Sequence, residues 1–143
     1  MKKRLFVSIA ALILSVVLVF CGCGKGNDAS TQQTVPASHE LTDFGSGATS
    51  FVFEVVDVDG NVTVFNVHTD EKTVGAALQE YELIKGEQGD YGIYIKEVNG
   101  IIADYDIDGT YWAFYVDGAM SMTGVDQVEI VEGSTYSFRV EKG

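Results

Sequence analysis

The chain has 143 residues, enough for one domain, and its 21 acidic and 9 basic residues give a net charge of −12 at pH 7. This balance argues against nucleic-acid binding, because such a protein needs a basic patch to meet the phosphates. The single proline and the 16 glycines are typical of a fold with many tight turns.

The first 22 residues have the pattern of a secretory signal peptide. Three basic residues at positions 2–4 precede an apolar run at positions 5–20 that is broken only by two serines. The run is too short and wrongly flanked for a permanent transmembrane helix. We therefore expect residues 1–22 to be removed and the protein to be exported.

Cys23 lies directly after this segment and is preceded by Gly22, as in the lipobox of bacterial lipoproteins. Cys21 follows Phe20, which fits that pattern poorly, so we expect Cys23 to be the lipidated N-terminus. The alternative is that Cys21 and Cys23 form a C-x-C metal or disulfide pair. With no histidine nearby and no other cysteine in the chain, they cannot supply a four-ligand metal site. The protein would then be held at the extracellular face of the bacterial cell membrane by its lipid anchor only.

Residues 23–48 have few large apolar side chains and are rich in small polar ones. Such a segment cannot bury enough apolar surface to offset the entropy of ordering, which predicts a flexible, lipid-anchored linker. We expect one folded domain at residues 49–143.

The domain opens with a predicted β-hairpin. Residues 50–58 alternate apolar and polar side chains, and Val62 to Val67 is the return strand. Asp59-Gly60-Asn61 between them is a strong hairpin signal.

A helix is predicted from Thr73 to Lys85, because apolar residues recur there at helical spacing. Thr73 or Asp70 is the expected N-cap, and Lys85-Gly86 is the expected end.

The second half of the chain reads as strands joined by turns, with a loop at residues 86–90. The last strand starts at Thr135, and an exposed apolar loop is predicted at residues 119–125. A single helix on a mixed sheet, with the C-terminal strand beside the first, predicts an α+β, β-grasp-like fold. The other strands are expected at residues 91–98, 101–105 and 110–116, with a hairpin turn at Asn99-Gly100.

The strand at residues 110–116 and the loop after it hold the candidate ligand-binding residues. Both faces of this strand are apolar or aromatic, so one face is expected to meet the core. Exposed aromatic and methionine side chains can cover a flat apolar ligand. The alternative is that Trp112 and Phe114 are buried and only the loop is exposed. The candidates are Tyr111, Trp112, Tyr115, Met120 and Met122.

Asp104, Asp106 and Asp108, followed by Gly109, match the first half of an EF-hand calcium loop. Tyr115 stands where the bidentate glutamate is needed, so an ordinary acidic turn explains the same residues. No catalytic constellation is evident, and we expect no enzymatic activity.

Several segments together resemble the transcobalamin-like C-terminal domain family, over about residues 50 to 142. They are Thr73-Val74 with Ala77-Leu78, residues 94–100 (YIKEVNG), residues 111–118 (YWAFYVDG), Gly124-Val125 and residues 131–138 (VEGSTYSF). The resemblance implies a soluble-ligand-binding β-grasp module that binds cobalamin or a related corrinoid and presents it to a membrane transporter. A cation (calcium)-binding or protein-interaction surface module is the alternative.

Overall fold

The computed structural model describes residues 41–143. The predicted signal peptide, the lipidation of Cys23 and most of the predicted linker lie outside these residues. The strands are β1 (Thr42–Gly45), β2 (Thr49–Val56), β3 (Val62–Thr69), β4 (Ile84–Gly89), β5 (Gly92–Val98), β6 (Ile101–Ile102), β7 (Thr110–Val116), β8 (Ala119–Met120) and β9 (Thr135–Lys142). The helices are α1 (Val74–Glu80), α2 (Tyr105–Asp108) and a 3-10 turn (Val125–Gln127). None of the helices in this range is long and apolar enough to cross a membrane.

The strands form a six-stranded sheet in the order β1-β3-β2-β9-β7-β8 and a three-stranded sheet in the order β4-β5-β6. β2 and β3 are an antiparallel hairpin, and β9 lies parallel to β2. The C-terminal strand therefore lies beside the first strand of the hairpin. The predicted α+β, β-grasp-like class is confirmed.

One face of the six-stranded sheet supplies most of the core. Phe51, Phe53 and Val55 alternate along β2 and are at most 1% exposed, because successive side chains of a strand point to opposite faces. Phe138 meets Phe53 edge-to-face, with ring centroids 6.3 Å apart. Burying each such side chain contributes about 1.5–3 kcal/mol, so this face carries much of the stability. The described residues contain no cysteine, and the core must hold the domain without disulfides.

The N-terminal hairpin turns where the sequence predicts. The backbone N–H of Gly60, at φ +84°, donates to the Asp57 carbonyl. The Asp57 carboxylate accepts from the backbone N–H of Asp59 and of Asn61 and from the Asn61 side chain. These bonds, with the Asn61 side chain first, lower the pKa of Asp57. The turn is thus tied by its own side chains.

α1 begins where predicted and ends about one turn early. The Thr73 hydroxyl accepts from the Ala76 N–H at 3.3 Å, so the expected N-cap is confirmed. The expected end at Lys85-Gly86 is wrong. Glu82 has a φ of +56°, and Ile84 is already in β4. The buried pair at positions 83 and 84 fits a helical face and a strand equally well, which explains the error.

The three-stranded sheet replaces the loop predicted at residues 86–90. β4 and β5 pair antiparallel with a bulge at Lys85/Gly86. A Cβ at Gly86 would lie 2.1 Å from the Tyr94 carbonyl oxygen, so the two backbones approach too closely there for any side chain. A glycine that reads as a loop signal is here a strand residue.

The folded part begins before residue 49. β1 falls inside the segment predicted as linker and pairs parallel with β3. Phe44 packs edge-to-face on Phe65 and Tyr81, with ring centroids 6.0 and 5.7 Å away. Asp43 adds a polar contact to the same strand, since its carboxylate accepts from the Asn66 side chain at 2.7 Å.

Candidate functional site

An open groove of about 530 Å³ lies between two segments of the domain. One is the tip of the β4–β5 hairpin at residues 88–92, and the other is the segment at residues 122–127 that leads into the 3-10 turn. We call it the tip groove. It is lined by Gln88, Gly89, Asp90, Tyr91, Gly92, Met122, Thr123, Gly124, Asp126 and Gln127.

Two large apolar side chains on the tip groove are almost fully in solvent. Tyr91 is 94% exposed and Met122 is 97% exposed. Tyr91 sits in the tight connection between Gly89 and Gly92, which face each other across the hairpin, so its ring has no strand neighbour to cover it. Exposed apolar side chains gathered at a concave surface mark a binding site more often than isolated ones.

Asp126 supplies the polar part of the groove. Its Oδ1 atom is buried and has no hydrogen-bond partner within residues 41–143. A Cβ at Gly92 would lie 2.8 Å from this oxygen, and a Cβ at Gly124 would lie 2.7 Å from it. The two glycines therefore make room for the carboxylate. An unpaired buried acceptor costs about 1–3 kcal/mol.

Neighbouring contacts hold Asp126 in place. Val125 is 2% exposed and belongs to the core. A Cβ at Gly75, in the first turn of α1, would lie 2.6 Å from the Asp126 Cα, so helix and 3-10 turn touch backbone to backbone. The carboxylate is thereby fixed on a rigid support, whereas Tyr91 stands on a hairpin tip.

The charged side chains that line the tip groove are all negative. Asp90 and Asp126 line it, and none of its lining residues is a lysine or an arginine. With exposed Tyr91 and Met122 beside these carboxylates, the groove suits a ligand that combines an apolar surface with hydrogen-bond donors or positive charge.

The five ligand-binding candidates from the sequence lie in three places. Met122 lines the tip groove. Trp112 is 7% exposed and faces the core, where its ring meets Phe138 edge-to-face. Tyr111 and Tyr115 lie on the opposite face of β7, and Met120 is paired across from Tyr115. The expected single aromatic and methionine surface is not formed, because side chains alternate along β7.

The three aspartates of the calcium hypothesis have separate structural roles. Asp104 caps α2 by accepting from the Asp106 N–H at 3.1 Å, and it pairs with Lys96 at 3.3 Å. Asp108 accepts from the Thr110 hydroxyl at 2.5 Å and the Thr110 N–H at 2.9 Å, which lowers the pKa of Asp108. Residues 101–105, predicted as a strand, end in this helical turn instead. Across residues 41–143, no three His, Cys, Asp or Glu side chains come together in a way that could hold a metal ion.

Tyr91 and Asp126 were not among the candidates from the sequence. Tyr91 reads locally as the first residue of a strand, although its position between Asp90 and Gly92, both turn formers, is a signal for exposure. Asp126 carries no local signal. It joins the site only because the 3-10 turn folds against the hairpin tip.

These features define a small α+β domain with an open, acidic groove. The chain belongs to the family described as domain of unknown function DUF4430, whose model matches residues 71–142. No curated protein is significantly similar to it in sequence.

Solved structures that are similar to the chain include the following two. One is named "putative metal binding protein from Ruminococcus gnavus ATCC 29149"; it is 28% identical, has a TM-score of 0.64, and the match covers 67% of this chain and 99% of that one. The other is haptocorrin in complex with Cbi, at 21% identity and a TM-score of 0.49, with 66% of this chain and 25% of haptocorrin covered. The chain thus spans about a quarter of haptocorrin.

Proposed function

We propose that this protein is a cell-surface lipoprotein whose domain binds a small ligand in the tip groove and catalyses no reaction. The observation that carries the proposal is the placement of exposed Tyr91 and Met122 beside the unpaired carboxylate of Asp126. An apolar wall with a convergent polar group is the usual form of a small-molecule site.

The ligand we propose is cobalamin or a related corrinoid, as the resemblance to the transcobalamin-like domains implies. A corrinoid has a broad apolar ring edged with amide donors. The ring suits Tyr91 and Met122, and an amide would donate to Asp126. A groove of about 530 Å³ covers only part of such a molecule. We therefore expect a second protein, such as a membrane transporter, to cover the rest.

Titration calorimetry of the full chain with cobalamin and cobinamide tests this proposal. Tyr91→Ala/Met122→Ala should weaken binding at least about tenfold, since each 1.4 kcal/mol is a factor of ten. The matched control is Tyr105→Ala/Met120→Ala, which removes a tyrosine and a methionine that are 54% and 51% exposed elsewhere. Binding that survives the groove variant and fails in the control would refute the assignment of the site.

Trp112 is a poor reporter in this titration. Its ring is in the core, and its indole N–H has no partner among the described residues. A ligand in the tip groove would reach the tryptophan only through packing. Heats of binding are therefore the better signal.

Cation binding is the second candidate, and the name of the Ruminococcus gnavus protein favours it. The tip groove offers the carboxylates of Asp90 and Asp126 as oxygen donors to a cation. A third donor would have to come from another bound molecule or from a partner protein. A rise in melting temperature with Ca²⁺ that is lost in Asp126→Asn, with no response to corrinoids, would favour this candidate. No response to either Ca²⁺ or corrinoids would favour a protein-interaction module.

Surface attachment through Cys23 can be tested separately. Metabolic labelling with a radioactive fatty acid should mark the protein in bacteria. Cys23→Ala should remove the label, whereas Cys21→Ala should keep it. Label that depends on Cys21 alone would move the lipidation site, and absence of label in all forms would refute the lipid anchor.

A further inference from the structure

Arg139 is the only arginine among residues 41–143, and its side chain lies on the face of the six-stranded sheet that points away from the core. Its guanidinium lies over the ring of Tyr115, 4.9 Å from the ring centroid. Its Nε atom is buried without a hydrogen-bond partner, and no salt bridge in the described part of the chain includes it. In a protein with 21 acidic residues, an arginine without a salt bridge is unexpected, and its lack of an acidic partner needs a structural explanation.

The nearest carboxylate on its own strand is engaged elsewhere. Glu141 accepts hydrogen bonds from the Tyr115 hydroxyl and, at 3.4 Å, from the Tyr111 hydroxyl. The bond from Tyr115 to Glu141 raises the pKa of Tyr115, so this tyrosine stays a donor at neutral pH. Glu54, on the neighbouring strand, is paired across from Ser137 and forms no salt bridge with Arg139. Within residues 41–143 the guanidinium therefore forms no salt bridge with an acidic side chain.

Small or apolar residues are paired across from Arg139 on both neighbouring strands, Val56 on β2 and Ala113 on β7. Ser137 and Ala113 are 2% and 5% exposed although they lie on the outer face, so larger neighbours cover them. Val56 is paired across from Arg139, and Val62 is paired across from Val56. Both valines are half-buried, which leaves an apolar strip that leads away from the positive charge.

We propose that Arg139, stacked on Tyr115, binds the carboxylate of a small amphipathic molecule whose apolar tail lies along Val56 and Val62. An arginine fork matches a carboxylate with two parallel hydrogen bonds, and stacking on a ring holds the fork in place. The valine strip adds apolar burial for the tail. This site shares no residue with the tip groove and does not depend on the function proposed for it.

Arginine NMR of the full chain tests the site directly. In an ¹⁵N-arginine sample the Nε–Hε signals come from Arg4 and Arg139 only, and the spectrum of Arg139→Lys assigns them. Octanoate should shift the Arg139 signal to saturation with a Kd of about 1 mM or lower. Acetate, with the charge and no tail, should bind at least about tenfold more weakly. 1-Octanol, with the tail and no charge, should not saturate the signal.

Variants give an independent reading by calorimetry. Arg139→Gln should abolish octanoate binding, whereas Lys72→Gln, which removes one positive charge from an exposed side chain elsewhere, should keep the wild-type affinity within about twofold. If octanoate leaves the Arg139 signal unmoved, or if phosphate binds as tightly as octanoate, the proposal is overturned. The NMR comparison of the three probes uses the wild-type chain and holds even if Arg139→Gln fails to fold.

Discussion

The core face of the large sheet and the tip groove use the same kinds of side chain for opposite purposes. Phe53 and Phe138 on the core face are at most 1% exposed and pack ring against ring. Tyr91 and Met122 on the groove are more than nine-tenths exposed and have no such partners. Residue type alone therefore does not mark a candidate binding site. The distinguishing feature is a large apolar side chain at a position that the rest of the fold leaves exposed.

The two regions also differ in what they can tolerate. A ligand could reach the core aromatics only if the sheet were opened, at a cost comparable to unfolding. The groove is bounded by a hairpin tip on one side, and it can accept a ligand without loss of core contacts. Changes in the two regions should therefore separate stability from binding.

Phe53→Ala should have the largest effect, because it empties a fully buried site in the centre of β2. We expect the free energy of unfolding to fall by about 3–5 kcal/mol, measured by urea denaturation. Tyr91→Ala removes a side chain of similar size and serves as the control. Equal losses in both variants would contradict the division between core and groove.

Gly92→Ala should come next, because a Cβ there would lie 2.8 Å from Asp126 Oδ1 at a φ of +115°. Gly100→Ala is the matched control: its φ is +78° and nothing lies within 4 Å of its added Cβ. The control should lose about 1 kcal/mol from backbone strain alone. Gly92→Ala should lose at least about twice that, because a φ of +115° lies farther from the left-handed region open to alanine than +78° does and because the Asp126 carboxylate must also move. It should also lose ligand binding. Identical losses would show that Asp126 does not fill the space beside Gly92.

Glu132→Gln should have a smaller effect that depends on pH. The Glu132 carboxylate accepts from the Ser50 N–H at 2.8 Å and from its hydroxyl at 2.9 Å, and these bonds lower the pKa of Glu132 below 4.5. A lowered folded-state pKa stabilises the protein above the unfolded value, and the contribution is lost as the pH falls through the folded value. The variant should be less stable than the wild type at pH 7, with the gap closing below about pH 4. A gap that stays constant down to pH 3 would contradict this role.

Tyr91→Ala/Met122→Ala should have the smallest effect on stability. Exposed side chains outside special contacts usually change the free energy of unfolding by less than about 0.5 kcal/mol. Corrinoid binding should nevertheless weaken at least about tenfold, as argued for the tip groove. A large loss of stability would mean that the two side chains pack against the domain after all.

Local signals in the sequence predicted the elements that depend on local physics. The turn at Gly60 and the cap at Thr73 each follow from a few adjacent residues, and both are confirmed. The parallel pairing of β9 with β2 follows from the order of elements and the usual rules of connection.

Elements that depend on distant partners could not be predicted in this way. β1 contains a single large apolar residue, Phe44, and is a strand only because the edge of β3 is open. The tip groove joins Tyr91 to Asp126, which lie far apart in the chain and carry no shared pattern. The aromatic strand β7 was the most conspicuous candidate, yet alternation along it sends Trp112 into the core.

Methionine-methyl NMR tests the central claim most directly, because Met122 lines the tip groove and Met120 lies on the outer sheet face next to Tyr115. In a ¹³C-methyl-methionine sample of the full chain, Met120→Leu and Met122→Leu would assign the signals of these two residues, and the third signal belongs to Met1. If the tip groove is the corrinoid site, cobinamide should move the Met122 signal to saturation and leave the Met120 signal in place. Saturable movement of Met120 with Met122 unchanged, or no movement of either, would contradict it.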